Sequence, residues 1–251
     1  MASETSPKDR FITVYGRNPV LEVLSDPQLH VDKVVIAEGA RGPGIREIEQ
    51  SARRRGVAVQ HASAERVKKL AGNGRQDQGV FADVIAPRML PLETALGQPG
   101  LRTVIVLDGI TTPANVGMIL RSATAAGIDG IVVPRRGVAS LDPLVVKASA
   151  GVAFRAPILK AYTAHEAVAA LKDHGFAVIG LDAGGDTDLF TARLPQPVAF
   201  VLGSETAGLG PDVAALVDTW VRVPMASGVE SLNVSAAAAV VCFELVRRSR
   251  A

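Results

Sequence analysis

The chain has 251 residues, is 48% hydrophobic and carries a formal net charge of only +2. That is enough apolar material for one large domain or two modest ones, each with its own core. Aromatics are scarce at 4%, so Ala, Val and Leu must fill the interior, as in α/β layers. The faint positive balance is compatible with nucleic acid but does not by itself argue for it.

Residues 1–10, MASETSPKDR, read as a frayed tail without the apolar centre of a signal peptide. FITVYGRNPVLEVLS then opens a folded unit, in which Asn18 before Pro19 predicts a helix N-cap and first turn. VDKVVIAE (31–38) predicts a strand, GIREIEQSARRRG (44–56) a helix stopped by Gly56, and VAVQHA (57–62) another strand. Ser63 caps a short basic helix, AERVKKLAG, and QGVFADVIA (78–86) is a further strand. Residues 11–86 are thus expected to form a small α/β unit. Its basic residues Arg41, Arg46, Arg53, Arg54, Arg55, Lys68, Lys69 and Arg75 are candidate phosphate contacts. The run 53–55 equally suits the negative end of a helix dipole.

Residues 87–101, rich in Pro and Gly, read as a linker with at most a short helical turn. The unit over 102–251 alternates strand and helix. Strands are expected at 103–110, 131–134, 156–162, from Phe176, at 197–205 and at 220–225. Helices are expected over 115–126, 142–149, from Thr163 (a capping box with Glu166) to Gly175, after Pro211, and over Ser231–Arg248. Repeated β-α units imply a parallel sheet with ligands at the carboxyl ends of its strands. The longest apolar run, Ala236 to Phe243, is cut by Glu244 and falls far short of the about 20 residues of a membrane span. The one cysteine, Cys242, lies within that run as a core residue; with no partner for a disulfide, a reducing cytoplasm is expected.

Several familiar chemistries are missing. No G-x-G-x-x-G, G-x-x-x-x-G-K-[ST], C-x-x-C or G-x-S-x-G occurs, and the four histidines are scattered. No metal is expected. What stands out instead is three strand-end loops rich in Gly, Asn, Ser and Glu. They are LDGITTPANVGMILRSATAAG (107–127), AFVLGSETAGLG (199–210) and VPMASGVESLNVS (223–235). Each alone reads as a cap or turn. Together, on one edge of a parallel sheet, they can converge on a site. In the first, Gly117 stands four residues before Arg121 and is expected to leave room over that side chain.

These segments, in this order, resemble the three motifs of the SpoU-type (TrmH-like) RNA 2′-O-ribose methyltransferases of the SPOUT superfamily. The matching pieces are Asn115-V-G-M-I-L-Arg121, Leu202-Gly203-S-Glu205 with Gly208, and Val223-P-Met225 with Ser231-Leu232-Asn233-V-Ser235. The N-terminal unit is similar to the substrate-binding domain that precedes many of these enzymes, an L30e-like α/β fold. Thr-Thr-Pro-Ala (111–114), Thr206-Ala207 and Ala226-Ser227-Gly228 depart from the family's usual pattern at those places.

The resemblance implies a deep trefoil knot, S-adenosylmethionine as cofactor, structured RNA (ribosomal before transfer RNA) as substrate, and a homodimer. It implies that Leu202, Gly203, Val223, Met225 and Leu232 hold the cofactor. It assigns Arg121, Asn115, Glu205, Ser231 and Asn233 to the chemistry, the motif-one arginine sometimes as a base; here Arg121 is expected to bind an RNA phosphate instead. Two other readings use the same scaffold: a non-catalytic RNA-binding protein, and a knotted methyltransferase acting on a base.

Overall fold

The structure is a computed structural model that describes residues 10–71, 77–226 and 229–250. The expected tail (but for Arg10) and Arg75 lie outside the described residues. The N-terminal unit runs β1 (Phe11–Tyr15), α1 (Arg17–Ser25), β2 (Val31–Ala37), α2 (Pro43–Arg55), β3 (Ala58–Ala62), α3 (Ala64–Ala71) and β4 (Val80–Ile85). The sheet order is β1-β4-β2-β3, with β4 antiparallel to both neighbours and β3 parallel to β2.

Side-chain alternation along these strands gives the sheet two apolar faces. Ile12, Val14, Val34 and Ile36 pack against α1 and α2, whereas Val35 and Phe81 pack against Val67 and Ala71 of α3. Since α3 has only eight residues, it leaves part of its face open, and Phe11 and Thr13 look out there. The N-cap of α1 is Gly16, not Asn18. Gly16 turns the chain at φ 91° while its N–H bonds Val80, which places Asn18 inside the first helical turn. Strand β1, which the sequence left unassigned, is held by five register pairs to β4.

The stretch read as a linker is built into the second sheet. β5 (Leu90–Pro91) pairs with its edge, α4 (Leu92–Leu96) follows, and Met89 and Leu92 are buried. The remaining elements are β6 (Thr103–Leu107), α5 (Pro113–Ala125), β7 (Gly130–Pro134), α6 (Pro143–Ala148), β8 (Ile158–Ala161), α7 (Ala164–Asp173) and β9 (Ala177–Leu181). Then come β10 (Thr187–Asp188), β11 (Val198–Leu202), α8 (Pro211–Ala214), β12 (Thr219–Arg222) and α9 (Val234–Ser249).

Every pairing in this eight-stranded sheet is parallel, in the order β10-β12-β9-β11-β6-β7-β8-β5. β11 lies at its centre and all five of its residues are buried. One face carries α5, α6 and α9, the other α7 and α8. The apolar cluster on the α5 side is continuous with that of the N-terminal unit, and Val84, Ala86 and Met89 belong to it. The helix expected from Ser231 begins at Val234, because Asn233 is its cap: Oδ1 of Asn233 accepts the N–H of Ser235 at 2.9 Å.

Candidate active site

From β6 the chain proceeds to β7 and β8 on one side. It then crosses to β9 on the other, and β11 inserts between β9 and β6. A parallel sheet opens a crevice at the carboxyl ends of its strands where its order reverses. A cleft of about 230 Å³ lies there, lined by the ends of β9 (Leu181, Asp182), β11 (Leu202, Gly203) and the segment after β12 (Val223, Met225), with Ser231, Leu232 and Ala237. All five residues expected to hold a cofactor, Leu202, Gly203, Val223, Met225 and Leu232, line this one cleft.

Gly203 is required by close approach. A Cβ there would stand 2.3 Å from the Gly208 carbonyl carbon and 2.6 Å from the Leu209 nitrogen. The loop 204–208 folds back because Ser204 and Gly208 exchange backbone bonds at 2.9 and 3.0 Å, and Ser204 Oγ accepts the Ala207 N–H. Asp108, at the end of β6, pins the far side by accepting the Gly210 N–H at 2.7 Å.

The polar residues of the three loops meet on a single oxygen. Glu205 Oε1 accepts Asn115 Nδ2 at 2.9 Å, Asn233 Nδ2 at 2.6 Å and the Val234 N–H at 3.3 Å. Asn233 Nδ2 also reaches Asn115 Oδ1 at 3.1 Å. Ser235 Oγ donates to Asn233 Oδ1 at 2.5 Å. One carboxylate therefore ties the start of α5 to the start of α9 and braces the cleft wall between them. Asn115 is buried in this role, inside the helix rather than capping it.

Arg121 is placed apart. It is exposed on the outward face of α5 and lines a separate depression with Arg88 and Arg155. Six residues beyond Asn115, it sits about 9 Å further along the helix axis. Gly117 does not open space for it: a Cβ on Gly117 would meet Ala148 Cβ at 2.5 Å and the Val145 carbonyl at 2.7 Å, so this glycine serves the packing of α5 on α6.

The basic run 53–55 is also partly committed. Arg55 is folded onto the Val23, Asp26 and Leu29 carbonyls, and Arg54 donates to Ser51 Oγ. Sequence reasoning missed Asp182, Asp108 and Ser235. The first two end strands beside β11, a signal visible only once strand order is known; Ser235 belongs to the third motif and to α9, but its hydroxyl bond to Asn233 has no local signature.

Among the described residues, no group of three or more His, Cys, Asp or Glu is placed to hold a metal ion, and no helix is long and apolar enough to cross a membrane.

Comparison with known proteins agrees with this geometry. The profile of the SpoU rRNA Methylase family matches residues 102–243, and that described as RNA 2′-O ribose methyltransferase substrate binding matches residues 13–90. A protein of Staphylococcus haemolyticus assigned to the TrmH family of tRNA/rRNA methyltransferases is 34% identical over 242 residues, which cover 94% of this chain and 96% of the relative. The 23S rRNA (guanosine-2′-O-)-methyltransferase RlmB of Xylella fastidiosa is 33% identical over 241 residues, covering 94% and 96%. Among solved structures, the SpoU methyltransferase AviRb of Streptomyces viridochromogenes, in complex with AdoMet, is 26% identical. It superimposes with a TM-score of 0.63, covering 95% of this chain and 90% of that one.

Proposed function

The chain belongs to the SpoU rRNA methylase family and is an S-adenosylmethionine-dependent RNA methyltransferase, and from that premise we propose that it methylates a ribose 2′-hydroxyl of ribosomal RNA. The observation that carries this reading is the three-donor junction on Glu205 Oε1, which assembles all three motifs around the cleft.

The residues present fit the cofactor. Leu202, Val223, Met225 and Leu232 offer apolar walls, the approach of Gly203 to Gly208 leaves backbone groups at the floor, and Asp182 and Glu205 put carboxylates beside a cationic ligand. When bound, S-adenosylmethionine supplies a methyl group already activated on a sulfonium. What is left to the protein is alignment of the attacking oxygen and control of its proton.

In this reading Asn115, Glu205 and Asn233 act as one rigid unit that fixes the wall facing the ribose. Ser231, at the cleft mouth, offers a hydroxyl to the incoming sugar. Arg121 holds an RNA phosphate through its planar guanidinium rather than serving as a base. Its place outside the cleft, near Arg88 and Arg155, supports that role.

A homodimer belongs to the same reading. Met118 on α5 and Phe243 on α9 are 40% and 50% exposed on two helices that pack together, and Arg121 follows Met118 by one turn. A deep trefoil knot, where the C-terminal segment threads a loop, is part of it as well. Transfer RNA is the second reading, since the family to which the staphylococcal relative is assigned takes in tRNA as well as rRNA methyltransferases.

The test is to incubate the protein with labelled S-adenosylmethionine and total ribosomal or transfer RNA, digest to nucleosides and identify the product by mass spectrometry. A 2′-O-methylnucleoside from ribosomal RNA is expected. A base-methylated nucleoside would overturn the ribose assignment, and label in transfer RNA alone would move the substrate.

A further inference from the structure

We infer that the cleft between the N-terminal sheet and the carboxyl ends of β7 and β8 is the track for a single-stranded segment of the RNA substrate. Bases lie against the rings of Phe11 and Tyr162, and phosphates against Arg66, Arg135, Arg136 and Lys160. This rests on the RNA methyltransferase reading above and adds where and in what form the RNA is held.

Three observations meet here. The first is shape. Because α3 covers only part of its sheet face, Phe11 and Thr13 look across an open space of about 1020 Å³ toward Pro134, Arg135 and Lys160. A smaller depression of about 220 Å³ shares Arg135 and Lys160 with it and extends it to Tyr162.

The second is position. Pro134 and Ala161 end β7 and β8, and Leu202 ends β11, in one parallel sheet with β6 between β11 and β7. The cleft therefore opens on the same edge as the cofactor cleft, two to three strand spacings away, roughly 10–14 Å. A stacked strand covers that distance in about three or four nucleotides.

The third is chemistry. The guanidinium of Arg136 sits 5.5 Å over the Tyr162 ring, which is 52% exposed, and the Phe11 ring carries Lys33 at 5.5 Å and Arg10 at 5.9 Å. Rings flanked by cations are what unpaired bases stack on while their phosphates are neutralised. Of the carboxylates in the cleft, Asp83 is already matched by Lys33 at 2.9 Å and by the Thr13 hydroxyl at 2.7 Å. Glu38 lines the larger space and Glu93 and Glu166 the smaller one, among Arg66, Arg135 and Lys160. Rings set this way have no use for a paired helix, whose bases stay stacked on one another.

The experiment uses the full-length protein, S-adenosylmethionine, and a fluorescent oligouridylate of about 12 nucleotides, long enough to reach from this track to the cofactor cleft. Binding is followed by anisotropy across a salt series, with an RNA hairpin stem of equal length as comparison. Tyr162→Ala is expected to weaken oligouridylate binding about fivefold or more. Arg66→Gln and Arg136→Gln are each expected to lower the salt slope by about 0.7.

All three variants should keep wild-type affinity for S-adenosylmethionine by calorimetry, because they lie outside that cleft. Crosslinks from a 4-thiouridine oligonucleotide should fall on the peptides holding Phe11 and Tyr162. Equal binding of hairpin and single strand, variants with unchanged oligonucleotide affinity, or a wild type that takes the cofactor but not the oligonucleotide would each overturn the track. A wild type that binds no S-adenosylmethionine would instead bring down the methyltransferase reading beneath it.

Discussion

Asn115 and Asn233 are 118 positions apart in the chain, yet Nδ2 of Asn233 donates to Oδ1 of Asn115 at 3.1 Å, and both amides converge on Glu205 Oε1. Bonds to a charged acceptor are each worth about 1.5–3 kcal/mol, and groups sharing one acceptor are not independent. Glu205→Ala is therefore expected to lower S-adenosylmethionine affinity about tenfold to a hundredfold in calorimetry, and turnover at least as much. Asn115→Ala and Asn233→Ala should each cost less than that. Combined, they should lose less than the sum of the two, since either alone already loosens the junction that the other shares. Additive losses would mean that the junction is not one unit.

Gly203→Ala tests the close approach of the 204–208 loop. The added methyl would lie 2.3 Å from the Gly208 carbonyl carbon, a backbone atom that cannot swing aside. Forcing it apart should cost about 1–3 kcal/mol, which for a chain of this length lowers the melting temperature by roughly 2–12 °C. Because the displaced loop lines the cleft, cofactor affinity should fall with it. A variant that melts like wild type and binds cofactor normally would show that the loop is free to move.

The alternation of strands and helices, the caps at Ser63 and Thr163, and the convergence of three motif loops were all legible in the sequence. They rest on local signals: period, capping side chains, and glycines at strand ends. What was not legible depends on contacts between distant segments. PRMLPLETAL looks like a linker until β8 offers Leu90 an edge to pair with. Gly117 looks like room for Arg121 until α6 fills it. Arg55 looks like a phosphate ligand until three carbonyls of the α1–β2 turn are seen to hold it. The interdomain cleft is beyond any one-dimensional reading, since it exists because α3 is shorter than the sheet it covers.

Arg121 lies outside the cofactor cleft, so its substitution should separate two quantities. Arg121→Ala and Arg121→Lys are expected to leave S-adenosylmethionine affinity unchanged while weakening RNA binding and turnover, alanine more than lysine. Loss of one phosphate contact should also reduce the salt dependence of RNA binding by about one contact's worth, a slope change of roughly 0.7 to 0.9. Normal turnover of either variant at saturating RNA would remove Arg121 from the chemistry. Loss of cofactor affinity would put it inside the pocket instead.

Cys242 and Glu244 show what the last helix is for. Burial pushes the Cys242 thiol up to about 12, so native protein should resist iodoacetamide at pH 8 and react only when unfolded. Glu244, with a buried side chain, receives Arg247 at 2.7 and 2.8 Å and Arg248 at 2.6 Å, and Arg248 also reaches the Ala192 and Leu189 carbonyls. The Arg247 bonds, then those from Arg248, hold its carboxyl down at about 2 against an ordinary 4.5. A depressed carboxyl contributes stability that is complete above pH 4.5 and fades as pH falls toward 2. Glu244→Gln should therefore destabilise the protein by about 1–3 kcal/mol in urea at pH 7. The gap between variant and wild type should narrow steadily below pH 4.5. If the difference stayed constant down to pH 3, the ion pairs would not be its source, and loss of packing between α9 and the 189–192 turn would have to be.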